Sequence, residues 1–116
     1  MPVVWYDNAL DADPDDPEWY DIDRIYCFDW DAFSDADWKL LATIYSQLPE
    51  PCQTAANSCP RWFAAVDDPK NGYLTASVEP PGLQVFGTLL FTEFQRWHGE
   101  FEARIADLPS RTLDDG

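Results

Sequence analysis

The sequence predicts an α+β fold, one antiparallel sheet of about four to five strands with two helices packed on one side, in the order β–β–α–β–β–β–α. Three observations carry that reading. Residues alternate with period two from Tyr20, an apolar stripe at helical spacing follows Ser34, and a second stripe follows Thr92.

Taken in order, "PVVWYD" reads as a first strand ending where Asp7-Asn8 starts a turn-rich stretch. Residues 11 to 18 contain Asp13-Pro14 and Asp16-Pro17, and the restriction on residues before proline keeps them out of a helix, so they form an exposed loop. From there Tyr20, Ile22, Arg24, Tyr26, Phe28 and Trp30 share one parity, while Asp21, Asp23, Ile25, Cys27, Asp29 and Asp31 share the other. In one strand this makes an aromatic face and a largely acidic face.

Ser34 and Asp37 have capping-box spacing, and Phe33 with Trp38 has hydrophobic-staple spacing, so a helix begins at 35. Trp38, Leu41, Ile44, Tyr45 and Leu48 form its stripe, and Pro49 ends it. Beyond the loop at 49 to 60, "RWFAAV", "YLTASVE" and "LQVFGTLL" form an antiparallel meander, separated by the turns "DDPKNG" and "PPG". Thr92, with Gln95 three residues on, caps a second helix whose stripe is Phe94, Trp97, Phe101, Ile105 and Leu108. Gly99 inside that helix implies close packing of the helix on the sheet. Residues 1–109 make a single domain and 110–116 a polar, flexible tail.

Aromatic residues are 16% of the 116, which argues for a folded core in spite of a net charge of −15. The charge is clustered. Residues 7 to 37 hold twelve acids and one base, Arg24, for −11; the rest of the chain holds ten acids and six bases, for −4. Such a field repels nucleic acid and anionic membranes and attracts basic proteins. No apolar run is long enough for a signal peptide or a membrane span, and an odd count of three cysteines fits a reducing compartment, so the expected location is cytoplasmic. Cys27 reads as a small buried apolar residue; Cys52 and Cys59 flank one loop and could pair under oxidising conditions.

Dedicated chemistry finds little support. Asp11, Asp13 and Asp15 have the one, three, five spacing of a calcium loop, but Asp16 stands where that loop needs glycine and Ile22 where it needs glutamate. The lone His98 lies off the stripe of the second helix and is expected to be exposed. No nucleophile elbow, zinc-protease or phosphate-loop pattern occurs. The expectation is a protein that is not an enzyme, with no metal and no cofactor.

What remains is the acidic face. Asp21 and Asp23 stand roughly 7 Å apart in an extended strand, as do Asp29 and Asp31, a spacing that can resemble the charge row of a nucleic-acid backbone. The expected partner-binding residues are Asp11, Asp13, Asp15, Asp16, Glu18, Trp19, Asp21, Asp23, Asp29, Trp30 and Asp31, with the tryptophans as apolar anchors. The function this implies is a small acidic inhibitor occluding a basic surface on a protein partner. The partner would be a toxin, a nuclease or a nucleic-acid-binding protein, and the inhibitor an immunity protein or a nucleic-acid mimic. The alternative is a soluble accessory protein that binds through exposed aromatics, its acids serving solubility.

Overall fold

The computed structural model describes residues 3–52, 59–68 and 70–111. The elements are β1 (Trp5–Ala12), β2 (Trp19–Tyr26), a 3-10 turn at Trp30–Ala32, α1 (Asp35–Gln47), β3 (Pro51–Cys52), β4 (Arg61–Trp62), β5 (Tyr73–Glu79), β6 (Gly82–Leu90) and α2 (Phe91–Ile105). The six strands form one sheet in the order β1-β2-β6-β5-β4-β3, with every pairing antiparallel. This is the predicted α+β class with a slightly higher strand count, because the two-residue β3 adds a strand.

Side-chain alternation decides which sheet face meets the helices. Ile22 and Tyr26 of β2, Leu83, Val85 and Leu89 of β6, and Leu74 and Ala76 of β5 join one buried cluster with Leu41 and Ile44 of α1 and Phe94, Trp97, Phe101 and Ile105 of α2. Trp62 brings β4 into that cluster, and its indole N–H donates to the Tyr45 carbonyl at 3.0 Å. Among the described residues the Trp97 indole nitrogen alone is buried without a hydrogen-bond partner; its ring meets Trp62 edge to face at 4.9 Å. The opposite face carries Tyr6, Asp21, Asp23, Phe86, Thr88 and Tyr73, and among the described residues no helix covers it.

Several local expectations change. β1 does not turn at Asp7-Asn8: the register slips between Asp7 and Ala9, so a bulge absorbs one residue and the strand continues to Ala12. β2 stops at Tyr26, where the Phe28 N–H bonds back to the Tyr26 carbonyl at 2.8 Å, a tight turn that ends the ladder. β4 is only two residues long because Phe63 takes a positive φ of 73°, which leaves the extended conformation. The α1 capping box forms as predicted, with Ser34 Oγ accepting from the Asp37 N–H and the Asp37 carboxylate accepting from the Ser34 N–H. Thr92 does not cap α2, which grows directly out of β6 from Leu90 and has its first N–H bonded to the Glu18 carbonyl. Gly82 and Gly87 are glycines the sheet requires: a Cβ would overlap the Tyr26 carbonyl oxygen at the first and the Tyr73 carbonyl oxygen at the second. Gly99 faces open space, so close packing is not its reason. Ser110 bridges to Phe28 and the Arg111 N–H donates to the Cys27 carbonyl, which fastens these two residues to the segment that follows β2. The tail expectation for 112–116 lies outside the described residues.

Candidate functional site: an acidic hairpin and the cluster behind it

The β1–β2 hairpin holds most of the residues singled out by charge. Its tip is tied by backbone bonds from Asp13 N–H to Trp19 O at 2.8 Å, Asp16 N–H to Asp13 O at 3.2 Å and Trp19 N–H to Asp16 O at 3.0 Å. The Asp13 carboxylate also accepts the Asp15 N–H at 2.8 Å, an Asx turn that fixes the loop locally. Asp11, Asp13, Asp15, Asp16 and Glu18 are exposed. Trp19 is half-buried against Gly72, where a Cβ would lie 3.2 Å from its ring. A notch of about 270 Å³ opens there between Asp13, Asp16, Trp19, Lys70 and Thr88.

Asp21 and Asp23 continue the negative charge along the open face of the sheet. Neutral donors hold them: Thr88 Oγ1 donates to Asp21 at 2.9 Å and Gln84 Nε2 to Asp23 at 2.9 Å. Asp11 lies directly across the ladder from Asp21, a like-charge pairing that disfavours the hairpin. None of Asp11, Asp13, Asp15, Asp16, Glu18, Asp21 or Asp23 forms an ion pair among the described residues.

The other three predicted residues do not join this surface. Because the chain turns after Tyr26, Asp29 and Asp31 leave the row begun by Asp21 and Asp23. Trp30 stacks on Trp38 at 5.0 Å and donates its indole N–H to the Glu79 carbonyl at 2.8 Å, at the opposite end of β2. The acidic residues therefore fall into two groups.

Behind β2 the same strand carries a different chemistry. Arg24, the single base of the acidic segment, points to the helix side and is 5% exposed. Its Nε meets Asp7 Oδ1 at 2.6 Å and its Nη2 meets Asp7 Oδ2 at 3.1 Å, a bidentate pair. Trp5 stacks on the guanidinium at 3.7 Å, and Phe94 lies 4.8 Å from it. Burial opposes the charge on Arg24, but Asp7 and Tyr26 outweigh it and raise the affinity of the guanidinium for its proton.

His98 is not exposed; its side chain retains 16% of its surface. One helical step beyond Trp97, it faces the β1–β2 end of the sheet and reaches Arg24 and Tyr26. Arg24 Nη1 lies 3.2 Å and the Tyr26 hydroxyl 2.7 Å from His98 Nδ1. Arginine only donates, so Nδ1 accepts and the neutral ring carries its proton on Nε2. Burial and then the Arg24 charge lower the His98 pKa below its ordinary 6.5. Burial pushes the Tyr26 phenol well above its ordinary value. Glu102 completes the cluster by accepting the Trp5 indole N–H at 3.1 Å.

A cavity of about 200 Å³ lies between Trp5, Arg24, Phe91, Phe94, Gln95 and His98. The polar atoms around it bond chiefly to one another, so the arrangement orients β1, β2 and α2. The signal for this cluster in the sequence was parity, since Arg24 alternates with Ile22 and Tyr26. Its acceptors, Asp7 and His98, come from distant segments and carried no local mark.

The three cysteines are free thiols, buried at Cys27 and exposed at Cys59. No three His, Cys, Asp or Glu side chains among the described residues converge to hold a metal ion. No helix among them is long and apolar enough to cross a membrane. No protein-family model matches the chain, and neither curated proteins nor solved structures show a significant similarity to it.

Proposed function

We propose that this chain is a small, acidic, non-enzymatic binding protein that uses its β1–β2 hairpin to occlude a basic surface of a protein partner. An immunity protein against a toxin, or a nucleic-acid-mimicking inhibitor of a nuclease or DNA-binding protein, fits this role. The observation that carries the reading is the unneutralised row from Asp11 to Asp23, presented on a hydrogen-bonded hairpin while Arg24 is turned inward to Asp7. A like-charge pair such as Asp11 and Asp21 works against folding, and local rules are broken most often where function requires it. Charge of this kind speeds association with a basic partner, and half-buried Trp19 supplies an apolar contact at its centre.

A second reading draws on the other sheet face, where Tyr6, Tyr73 and Phe86 are half-buried with no covering layer among the described residues. There the chain is an accessory protein that binds through aromatics and its acids serve solubility. Affinity capture from the native host, washed at rising salt, separates the two. The inhibitor reading expects a discrete basic partner that elutes as salt rises and is lost with Asp13→Asn, Asp15→Asn and Asp16→Asn combined. A partner retained at high salt and lost on Phe86→Ser supports the aromatic face. Capture of only scattered abundant basic proteins removes the inhibitor reading.

A further inference from the structure

Arg24 is buried with donors to spare. A guanidinium carries five N–H groups. Among the described residues three of them have acceptors: Nε–H and one Nη2–H go to Asp7, and one Nη1–H lies 3.2 Å from His98 Nδ1. That last acceptor is shared, because the Tyr26 hydroxyl reaches the same nitrogen at 2.7 Å. Two N–H groups of a side chain only 6% exposed are thus left without an acceptor among the described residues. Buried donors are rarely left unmet.

The cavity of about 200 Å³ has Arg24 in its wall, together with Trp5 and Phe94, whose rings lie over the guanidinium. Asp7, which occupies the Nε side, is not part of that wall. Phe91, Gln95 and His98 complete it, and no acid lines it. The walls are set before any ligand arrives. Glu102 accepts the Trp5 indole N–H at 3.1 Å, and Phe91 packs on Tyr20 at 4.5 Å. An apolar cavity of about 150 Å³ already takes benzene, so the space suffices for one six-membered ring.

We propose that this cavity binds a small, uncharged aromatic molecule carrying a carbonyl or amide oxygen. The ring packs against Trp5, Phe91 and Phe94, and the oxygen accepts from Arg24, the usual division between apolar walls and a few polar groups that fix orientation. Charge selects the neutral ligand. A cation meets Arg24 and finds no acid in the wall. An anion adds a second carboxylate to a guanidinium that Asp7 already neutralises, inside a chain of net charge −15. A neutral oxygen satisfies the donors without either cost. The cavity shares no residue with the acidic row from Asp11 to Asp23, so the proposal does not depend on the hairpin reading.

The test titrates benzamide into the intact chain and follows its backbone and indole N–H signals by NMR, with benzene, benzoate and protonated benzylamine as comparisons. Benzamide should shift Trp5, Phe94 and Gln95 saturably. Benzene, which lacks the acceptor, should bind about tenfold more weakly, and so should the two charged analogues. Replacing Arg24 disturbs the fold, so the acceptor is varied on the ligand and the location on the protein. Gln95→Trp, at an exposed position of α2, fills the mouth of the cavity and should weaken benzamide about tenfold or more with the fold retained. No saturable shift with benzamide would leave solvent as the only acceptor and overturn the proposal. Benzene binding as tightly as benzamide would do the same, as would tighter binding of benzoate or benzylamine, shifts confined to another part of the chain, or indifference to Gln95→Trp.

Discussion

The two faces of β2 use charge in opposite ways within eight residues. Outward, Asp21 and Asp23 accept hydrogen bonds from neutral side chains and pair with no cation. Inward, Arg24 is clamped by Asp7, covered by Trp5 and in contact with His98. The inner charge is stabilised only by partners brought from two other segments, β1 and α2. The outer charges need no cation because neutral donors and solvent on the open face satisfy them, and they stay available for another molecule. A single strand thus separates a charge that organises the fold from charges that can act on its surroundings.

The largest expected difference between these faces is in stability. Arg24→Leu leaves Asp7 and His98 without their shared partner and should lower unfolding free energy by about 3 kcal/mol, since breaking a buried pair from one side is far more damaging than its net worth. Asp21→Asn with Asp23→Asn should change it by less than about 1 kcal/mol, because Asp21 is exposed, Asp23 is only half-buried and the Asn side-chain oxygen can still accept from Thr88 and Gln84. Urea unfolding of both variants checks this, and comparable losses would break the contrast.

Acid titration sharpens it. The folded chain holds His98 below its ordinary pKa of 6.5, so near that pH the unfolded chain binds a proton that the folded chain does not. Stability is then complete above about pH 6.5 and falls as the pH drops toward the lowered folded value, where the loss levels off. His98→Gln should remove this part of the pH dependence. A parent midpoint that is flat from about pH 7 to 5.5 would contradict the accepting role of Nδ1.

Gly99→Ala provides a background against which binding losses are separated from folding losses. It lies on the outer side of α2 with room for a methyl group and should add up to about 1 kcal/mol of stability without altering partner affinity. The smallest effect belongs to Asp11→Asn, which relieves the like-charge pairing with Asp21 and should raise the thermal midpoint slightly, by a few tenths of a kcal/mol in free energy. A fall in midpoint would mean that Asp11 holds a structural contact.

Much of the fold was legible because its signals are local. Ser34 and Asp37 are three residues apart, and the cap they form needs nothing distant. The stripe of Phe94, Trp97, Phe101 and Ile105 is buried as its spacing predicts. Where the reading departed, a contact from elsewhere decided. Thr92 has cap chemistry, yet β6 runs straight into α2 and leaves no cap position for it. His98 lies off the apolar stripe, but the β1–β2 end of the sheet extends far enough to cover it. Asp29 and Asp31 keep the parity of Asp21 and Asp23 on paper, and a tight turn after Tyr26 removes them from the row.

By itself, then, the sequence determined the class of fold, the burial of most of its aromatics and the concentration of acid between residues 7 and 37. These follow from periodicity and composition, which act over a few residues. Tertiary structure alone decided that Arg24 should be neutralised inward, that the acids should split into two groups, and that a cavity should form beside Arg24. Those outcomes depend on which distant segments meet, and pairing between segments is set by how the whole core packs, not by any residue's nearest neighbours.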